Sequence, residues 1–386
     1  MTAQKSKFDN RKRYDEKGSL KSKRNNDAIN ATGADIRMIV GRRSNGKTYP
    51  TITFDGLRKY LDSNGTEPFA YIRRKDRDLK EVKNDLFNGP VNTGWLEWYS
   101  KGKWNHIHYY ASRWYLWHIK EDGKVDRKDP KPFCYFFSIN CSDNYKGPDY
   151  SMIKTIILDE FIPMNDVFGV ISNEWKLWQN LLSTIIRDND DVVIYMIANT
   201  VSKNCIYFDK YKIDIYSIPQ GTIEVHRFKS GGSIAIEYCA DKGDNNVTSS
   251  KYFDVDDSVG SAIVTGTWET KEYPKLPKSY RKYKQISTIS FNIIHNSKTV
   301  QGHLIKTKER SMIYFHLRTS PVKDDEYIYM ETFDSERMNQ YKTRIGFNPN
   351  QFDLDRIIFN KIMRNECYYQ NNDVGELVKY FLDNTR

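Results

Sequence analysis

The sequence predicts an α/β protein whose first part is a mainly parallel β-sheet flanked by helices. A connector and a smaller α/β domain follow it. Two observations support this prediction. From about residue 36, short apolar runs alternate with helical patterns, as in parallel sheets whose strands are joined by helices. After residue 230 the sequence becomes rich in Gly, Ser and Asp, and a second set of alternating strands begins near residue 286. A chain of 386 residues has room for about two domains of ordinary size.

These changes in texture divide the chain into four segments. We expect a basic mobile arm over 1–30, a first α/β domain over 31–230, a linker region over 231–285 and a C-terminal domain over 286–386. The arm combines many Lys and Arg with few apolar residues, which is typical of a disordered, polyanion-binding tail. A solvated tail without a partner is the alternative.

Composition limits the class of protein. The net charge of +10 and the pI near 9.0 permit attraction to a polyanion without identifying one. The five Cys form no CxxC pair, so we expect neither a disulfide framework nor a structural zinc site. Since no apolar run approaches the ~18 residues of a membrane span and no signal peptide is apparent, we expect a soluble intracellular protein.

The elements of the first domain follow from periodicity. Strands are predicted at 36–40, 68–74, 132–139, 152–158 and 191–198, and helices at 47–61 (interrupted by Pro50), 77–87 and 172–187. The aromatic-rich segment 95–125 lies between the second and third strands. Its Lys-Gly and Asp-Gly turn signals predict antiparallel hairpins that form an extra layer on the sheet. A surface for stacking nucleic-acid bases is the alternative.

A phosphate-binding loop is predicted at residues 41–48. GRRSNGKT fits GxxxxGK[ST], directly follows the first strand and opens a helix, which is the context that this motif requires. Gly41 and Gly46 let the backbone turn its N–H groups toward phosphate oxygens. Lys47 would neutralise the β- and γ-phosphates of ATP, Thr48 would bind Mg²⁺, and Arg43 could reach the γ-phosphate. The predicted nucleotide-binding residues are Gly41, Arg42, Arg43, Ser44, Asn45, Gly46, Lys47 and Thr48.

A second motif, TIILDE (155–160), is an apolar strand that ends in two acids. Asp159 would bind Mg²⁺ together with Thr48, and Glu160 would orient or deprotonate the attacking water. Acids with a purely structural role at a strand end are the alternative. The interval between Lys47 and Asp159 leaves room for an added strand between the two motif strands, as in P-loop ATPases of the ASCE class. Asn199, at the end of the next strand, could sense the γ-phosphate or cap the strand.

In this order, VGRRSNGKTY, AYIRR, IILDEFI, STIIRDND and ANTVSKNCIYF resemble the DNA-packaging (encapsidation) ATPases of small podophages with protein-capped linear genomes, best known from Bacillus phages. The resemblance covers about 36–210. It implies a homomeric ring, pentameric in that family, that hydrolyses ATP and drives double-stranded DNA into an empty capsid through the portal. Such a motor works in the bacterial cytoplasm, transiently attached to the procapsid. The Bacillus phages place a structural RNA between portal and motor; whether this chain uses one stays open.

The resemblance also implies site residues. Arg187 matches the arginine finger that acts on a neighbouring subunit's site, and Lys146 matches a lysine acting beside it. An arginine that interacts with the helix dipole is the alternative for Arg187. Arg73 and Arg74 match an Arg pair that would couple nucleotide to a neighbour or to DNA, or form ion pairs with nearby acids.

In the larger phage terminases the corresponding second domain is an RNase H-like nuclease, which needs a carboxylate on its first strand to hold a catalytic metal. The first strand here has Asn292 instead. We therefore expect a vestigial RNase H-like fold without nuclease activity, serving as a docking or nucleic-acid-binding surface. Three other functions are possible from the sequence: a helicase or replication ATPase, a small-molecule P-loop kinase, and an ATP-gated scaffold.

Overall fold

The chain folds into two compact units. The computed structural model describes residues 25–42, 46–163, 171, 173–239, 268, 271–295, 298–323, 326–330, 341–342 and 353–384. The first unit comprises 1–207 and 214–268, and the second comprises 208–213 and 269–386. Most of the predicted arm lies outside the described residues. Its last residues form a short helix instead of a tail, with Ile29 fully buried. Within the described ranges, no helix is long and apolar enough to cross a bilayer.

The first unit is built on a nine-stranded sheet of order β3-β4-β5-β2-β6-β7-β1-β9-β8. Its central pairs are parallel, as predicted, whereas β3 with β4, β4 with β5 and β8 with β9 are antiparallel. The strands are β1 Ile36–Gly41, β2 Phe69–Arg73, β3 His106–Tyr110, β4 Arg113–Ile119, β5 Val125–Ser138, β6 Thr155–Asp159, β7 Val193–Asn199, β8 Thr222–Arg227 and β9 Ser233–Tyr238.

The order β6-β7-β1 is the ASCE arrangement, in which one strand separates the strands of the two motifs. Here β7 is that strand, and it comes after β6 in the chain. Strands β2 to β5, which fill the long interval before Asp159, lie on the far side of β6. The register pairs Gly41 with Asn199 and Ile197 with Asp159, so the carboxyl ends of the three strands lie together.

Helices flank this sheet. They are α1 Asp27–Asn30, α2 Thr48–Pro50, α3 Arg58–Asp62, α4 Asp78–Val82, α5 Asn88–Asn92, α6 Trp95–Tyr99 and α7 Glu174–Ile186. The next helix, α8 Ile206–Lys210, spans the boundary between the two units. A π-helical segment, Thr51–Leu57, joins α2 to α3. The predicted interruption at Pro50 is wrong, because Pro50 lies in the first turn, where its missing N–H breaks no helical hydrogen bond. The helix predicted at 77–87 is confined to α4.

The aromatic-rich segment 95–125 forms α6 and the antiparallel strands β3 and β4, which pair onward with β5. These strands extend the edge of the main sheet, so the prediction of a separate layer was wrong. Trp95 and Trp114 are almost fully buried, and the Trp114 indole N–H donates to the carbonyl of Lys83 at 2.9 Å. Packing against the helices therefore accounts for the largest of these side chains.

The predicted linker is divided between the two units. Strand β9 begins at Ser233 and pairs with β1 in the main sheet, so this part of residues 231–285 belongs to the first unit. Residues 271–285 belong to the second unit, where the Tyr273 hydroxyl donates to Glu376 at 3.1 Å and the Tyr369 N–H donates to the Pro274 carbonyl at 2.8 Å.

Among its described residues, the second unit has six strands in one sheet, in the order β14-β13-β10-β11-β12-β15. Strands β10, β11 and β12 are antiparallel neighbours, and β13 and β14 continue from β10 in parallel, which is the arrangement of RNase H-like folds. The elements are β10 Ser287–His295, β11 Lys298–Lys306, β12 Ser311–Arg318, β13 Tyr327–Met330, β14 Tyr341–Lys342, β15 Cys367–Tyr369, α9 Asp353–Met363 and α10 Asn372–Asn384. Phe291, Phe315 and Phe381 lie in its core.

Candidate nucleotide site

Lys47 lies at the carboxyl edge of the main sheet, between the ends of β1 and β7. Its ammonium group is 3.0 Å from the carbonyl of Gly41, 2.7 Å from that of Arg42 and 3.1 Å from Asn199 Oδ1. The residue is only 6% exposed. The carbonyls at the end of β1 and the amide at the end of β7 thus hold the cation at the mouth of the loop.

Of the loop residues before Lys47, the structure describes Gly41, Arg42 and Gly46. Gly46 has φ +81°, which side-chain-bearing residues rarely adopt, and a Cβ there would meet no atom within 4 Å. Glycine is therefore needed for conformation and not for space. Thr48 opens the helix and is partly exposed. Of the predicted nucleotide-binding residues, Arg43, Ser44 and Asn45 lie outside the described part of the chain.

The two acids at the end of β6 share one arginine. Arg73, the last residue of β2, places Nη1 3.2 Å from Asp159 Oδ2 and Nη2 2.7 Å from Glu160 Oε2. The Tyr71 hydroxyl donates to the same Asp159 oxygen at 2.8 Å. The structure thus shows the ion-pair alternative for Arg73, and Tyr71 is a contact of Asp159 that the sequence analysis missed.

Burial and neighbouring charges shift the pKa values of Arg73 and Tyr71 in this cluster. Burial alone would lower the pKa of Arg73, but its interactions with Tyr71, Asp159 and Glu160 outweigh this and raise the pKa above its usual value. Burial, together with the Asp159 carboxylate, raises the pKa of Tyr71 well above its usual value. Arg73 therefore stays a cation and Tyr71 a hydrogen-bond donor at any pH at which the fold persists.

Glu160 has a strained backbone. Its φ of +58° lies in the left-handed region, which is unfavourable for a residue with a side chain and is commonly retained at functional sites. Its side chain is 57% exposed, whereas that of Asp159 is 9% exposed. Adjacent acids thus occupy different environments: one is buried at the end of the strand and the other is open to solvent.

Arg74 has a different partner from Arg73. Its guanidinium makes a bidentate contact with Glu174, the first residue of α7, at 2.7 and 2.6 Å. The Tyr207 hydroxyl donates to the same carboxylate at 2.9 Å, and both charged residues are buried. This ion pair joins β2 to α7, so Arg74 is placed to support the structure around the site. The sequence offered no signal for Glu174 or Tyr207 because both contacts are distant in the chain.

Arg187 follows α7 and Lys146 lies between β5 and β6, and both contact residues of the segment 143–149. Arg187 Nη2 donates to the Pro148 carbonyl at 2.7 Å, and Nη1 is 3.8 Å from Asp149. Lys146 pairs with Asp143 at 2.6 Å, and this hydrogen bond lowers the pKa of Asp143. The side chain of Arg187 is 41% exposed and that of Lys146 is 63% exposed. In the described residues neither cation contacts Lys47, Asp159 or Glu160.

A buried polar network behind the loop was also missed. The Thr51 hydroxyl donates to the Lys47 carbonyl at 2.8 Å, and the Asn26 side chain donates to both Thr51 and Asp55. Asn30 donates to the other oxygen of Asp55 at 2.8 Å. Burial raises the pKa of Asp55, against these hydrogen bonds. The chain before β1 is thereby tied to the π-helical segment that follows Lys47.

In the second unit, Asn292 is fully buried on β10. Its side-chain oxygen accepts a hydrogen bond from Arg318 Nη1 at 3.0 Å, and the same atom of Arg318 lies 2.6 Å from Glu326. A guanidinium therefore occupies the surroundings of the first-strand position at which an RNase H-like nuclease needs a metal-binding carboxylate.

Fold and site together define a P-loop protein of the ASCE class with an RNase H-like second unit. The chain belongs to the family described as Podovirus DNA encapsidation protein (Gp16), whose profile matches residues 24–240. A DNA packaging protein of Bacillus phage B103 is 25% identical over 173 residues, which are 45% of this chain and 46% of that protein. A DNA packaging protein of Bacillus phage phi29 is also 25% identical over 173 residues, which are 45% of this chain and 45% of that protein. The chain thus spans about half the length of the curated relatives it matches.

Two solved structures resemble this chain in fold over most of its length. One is described as the phi-28 gp11 DNA packaging motor (TM-score 0.55, 16% identity, 94% of this chain and 98% of that one). The other is the bacteriophage phi-29 viral genome packaging motor assembly (TM-score 0.56, 17% identity, 94% of this chain and 99% of that one). At these identities the likeness concerns the fold.

Proposed function

We propose that this chain is one subunit of an ATP-hydrolysing ring motor that moves double-stranded viral DNA into a preformed capsid. Its family membership and its two-unit fold support this proposal. The motor would act in the bacterial host cytoplasm, attached to the portal of the procapsid. The pentameric state and the use of a structural RNA are expectations from the family resemblance.

The observation that carries the proposal is the convergence of Lys47, Asn199 and Asp159 at the ends of three adjacent strands. Lys47 Nζ already contacts Asn199 Oδ1 at 3.1 Å, and Asp159 ends the strand next to β7. A nucleoside triphosphate placed over the loop would meet the Lys47 cation before α2, the Asn199 amide at the end of β7 and the Asp159 carboxylate at the end of β6, which is what binding and hydrolysis of its terminal phosphate require.

The residues present fit a magnesium ion. Thr48 is a partly exposed residue with a hydroxyl, and the hydrogen bonds that Asp159 forms with other described residues involve Oδ2, so hard oxygen donors of the kind that Mg²⁺ prefers are present. Thr48 and Asp159 would hold the ion. When bound, Mg²⁺ would neutralise charge on the β- and γ-phosphates.

Glu160 would orient and deprotonate the attacking water, while Arg73 positions its carboxylate. Because Arg73 contacts both acids, it lowers their mutual repulsion and fixes the orientation of Glu160. Asn199, which ends β7 and contacts Lys47, would respond to the presence or loss of the terminal phosphate.

Arg187 and Lys146 would act on the site of a neighbouring subunit. Their exposure and their lack of contact with the acid pair of the same chain, within the described residues, are what a cation offered in trans requires. Such a guanidinium can raise the hydrolysis rate by ~10³–10⁵. The contacts of Arg318 with Asn292 and Glu326 put a cation at the position where a nuclease would hold a metal, which supports a second unit that docks or binds nucleic acid without cutting it.

The decisive experiment measures ATP hydrolysis with and without double-stranded DNA, together with the mass of the assembled species. We expect double-stranded DNA to stimulate hydrolysis by a ring-sized assembly, with DNA affinity falling steeply as salt rises. Stimulation by single strands alone would indicate a helicase instead, and a monomer with no response to DNA would contradict the motor.

A further inference from the structure

The first unit contains a cavity at a distance from Lys47. Its volume is about 630 Å³, within the range of small-molecule sites, roughly 300–1,000 Å³. It opens beside the end of α3, around Tyr60 and Asp62. The helical segment from Thr48 to Asp62 separates it from the loop, a length of about 20 Å at about 1.5 Å per residue. A ligand in this cavity therefore cannot be the nucleotide bound by Lys47.

Aromatic rings form its walls. Trp98, Tyr99 and Trp104 come from α6 and the turn after it, and Tyr60 comes from α3. Tyr99 stacks on the buried Trp95 with ring centroids 5.0 Å apart and planes at 12°, so its orientation is fixed. Trp98 and Tyr99 remain partly exposed. Half-buried, rigid aromatic faces of this kind are suited to stacking a planar heterocycle.

Two carboxylates supply hydrogen-bond acceptors. Asp62 Oδ1 accepts from the Tyr99 hydroxyl at 2.8 Å, and Asp129 Oδ2 accepts from the Tyr60 hydroxyl at 2.9 Å. Burial and the Asp62 interaction raise the pKa of Tyr99 to about 12, so this phenol stays a donor. In the described part of the chain neither acid forms an ion pair. Carboxylates in this setting can accept hydrogen bonds from the exocyclic amino group of a nucleobase.

Two lysines complete the lining. Lys101 and Lys103 are exposed residues on either side of Gly102, and Lys103 Nζ lies 5.2 Å from the centre of the Trp104 ring. Cations at the rim, beside aromatic walls and acidic acceptors, match the three parts of a nucleotide: a phosphate, a planar base and its amino group.

We propose that this cavity binds an amino-bearing nucleobase that carries a phosphate. The base stacks against the partly exposed Trp98 and Tyr99, beside the buried Trp104, with Asp62 and Asp129 on its amino edge and Lys101 and Lys103 on its phosphate. The base could come from a free nucleotide or from an unstacked residue of a single strand. Adenine and cytosine present the amino group and uracil does not, so adenine and cytosine nucleotides should bind more tightly than uracil nucleotides.

The test uses the full chain with Lys47→Ala, which removes the contribution of the loop, titrated with AMP, CMP and UMP by calorimetry. We expect one saturable site per chain for AMP and CMP and about tenfold weaker binding of UMP. Asp62→Asn should weaken the binding of AMP by about tenfold. The double variant Lys101→Ala, Lys103→Ala should weaken the binding of AMP more than that of adenosine, which carries no phosphate. Glu97→Gln, a change at an exposed residue of α6, is the matched control.

Three results would overturn the site: no saturation of AMP by about 5 mM, AMP binding that Lys47→Ala abolishes, or AMP binding that the Asp62 and lysine variants leave unchanged. Thermal unfolding of each variant checks its fold, and Trp98→Phe repeats the test with packing retained. A short oligoadenylate that displaces AMP at about tenfold lower concentration identifies a strand as the source of the base, whereas equal potency identifies the free nucleotide. Since DNA-stimulated hydrolysis is measured separately, failure here leaves the motor proposal intact.

Discussion

Arg73 Nη2 lies 2.7 Å from Glu160 Oε2, so the proposed water-activating acid is ion-paired to a residue of its own chain. The same guanidinium contacts Asp159. One cation thus holds both acids of the second motif, and it comes from β2, the strand beside them. Arg73 is therefore a positioning residue of the proposed site, and its loss should change turnover more than nucleotide binding.

Arg73→Ala should lower kcat for ATP hydrolysis by about 10- to 100-fold with little change in KM, because supporting contacts to acids at such sites typically contribute that much. Arg73→Lys should recover part of the loss, since it keeps the charge but not the two-pronged contact. Steady-state kinetics would check both, with the exposed Arg77→Ala as control. Equal losses in Arg73→Lys and Arg73→Ala, accompanied by a lower melting temperature, would show that the arginine only supports the fold.

Lys47→Ala and Glu160→Gln should separate binding from chemistry. Lys47→Ala removes the cation held over the loop, so ATP binding and hydrolysis should both be lost. Glu160→Gln keeps size and polarity but cannot accept a proton, so binding should persist while turnover falls by about 10²–10⁴. Binding of a fluorescent ATP analogue and phosphate release would measure the two effects. Substantial turnover by Glu160→Gln would remove Glu160 from the mechanism.

Mixing subunits tests whether sites are shared. Arg187→Ala alone should reduce hydrolysis by ~10³–10⁵. When mixed with Glu160→Gln, some sites pair an intact Glu160 with an intact neighbouring Arg187, so activity should reappear. A mixture of Lys47→Ala with Glu160→Gln is the control. Both residues belong to the site of their own chain, so this mixture contains no complete site. If Arg187→Ala and Glu160→Gln complement no better than this control, the assignment of Arg187 in trans is wrong.

Stability of the second unit should depend on pH through His303. Its ring nitrogens lie 2.8 Å from Ser290 Oγ and 2.9 Å from His316 Nε2, and Tyr280 stacks on its ring. Burial is the main cause of its low pKa, lowered from 6.5 to about 4, and the neighbouring charge of His316 adds to it. More distant cations, Arg281 and Arg318, act in the same direction.

Because the unfolded chain binds a proton below about pH 6.5 whereas the folded unit does so only near pH 4, acidification through that interval favours unfolding. The stabilisation is complete above pH 6.5 and lost as pH falls toward 4. Urea unfolding at pH 7 and pH 5 should therefore show lower stability at pH 5, and His303→Gln should flatten the difference. His226→Gln, on β8 of the first unit, should keep it. An unchanged difference in His303→Gln would exclude His303 as its source.

Restoring the first-strand acid should not restore a nuclease. Asn292→Asp would place a carboxylate against Arg318, and the guanidinium would pair with it in place of a metal ion. We expect neither the parent chain nor this variant to cut plasmid DNA with Mg²⁺ or Mn²⁺, as judged by gel electrophoresis. Metal-dependent cutting by the parent chain would contradict the vestigial assignment.

The sequence predicted the features that are local or periodic. GRRSNGKT is contiguous, so its loop, its preceding strand and its following helix could be placed together. The apolar runs predicted the central strands of the first sheet, because burial on both faces of a parallel sheet leaves a continuous apolar pattern. Alternating patterns predicted β10, β11 and β12 of the second sheet. The prediction at Pro50 failed because helix-breaking depends on position: in the first turn proline removes no helical hydrogen bond.

Tertiary structure alone decided which distant groups meet. Arg73 and Asp159 are 86 positions apart, and nothing in either segment specifies that β2 lies beside β6 with both ends at one edge. The same holds for Arg74 with Glu174, Arg318 with Asn292, and the cavity beside Asp62. Local sequence determines the conformation of a segment, whereas the order of strands is set by packing of the whole core, so the chemistry of a site built from several strands appears only in the folded chain.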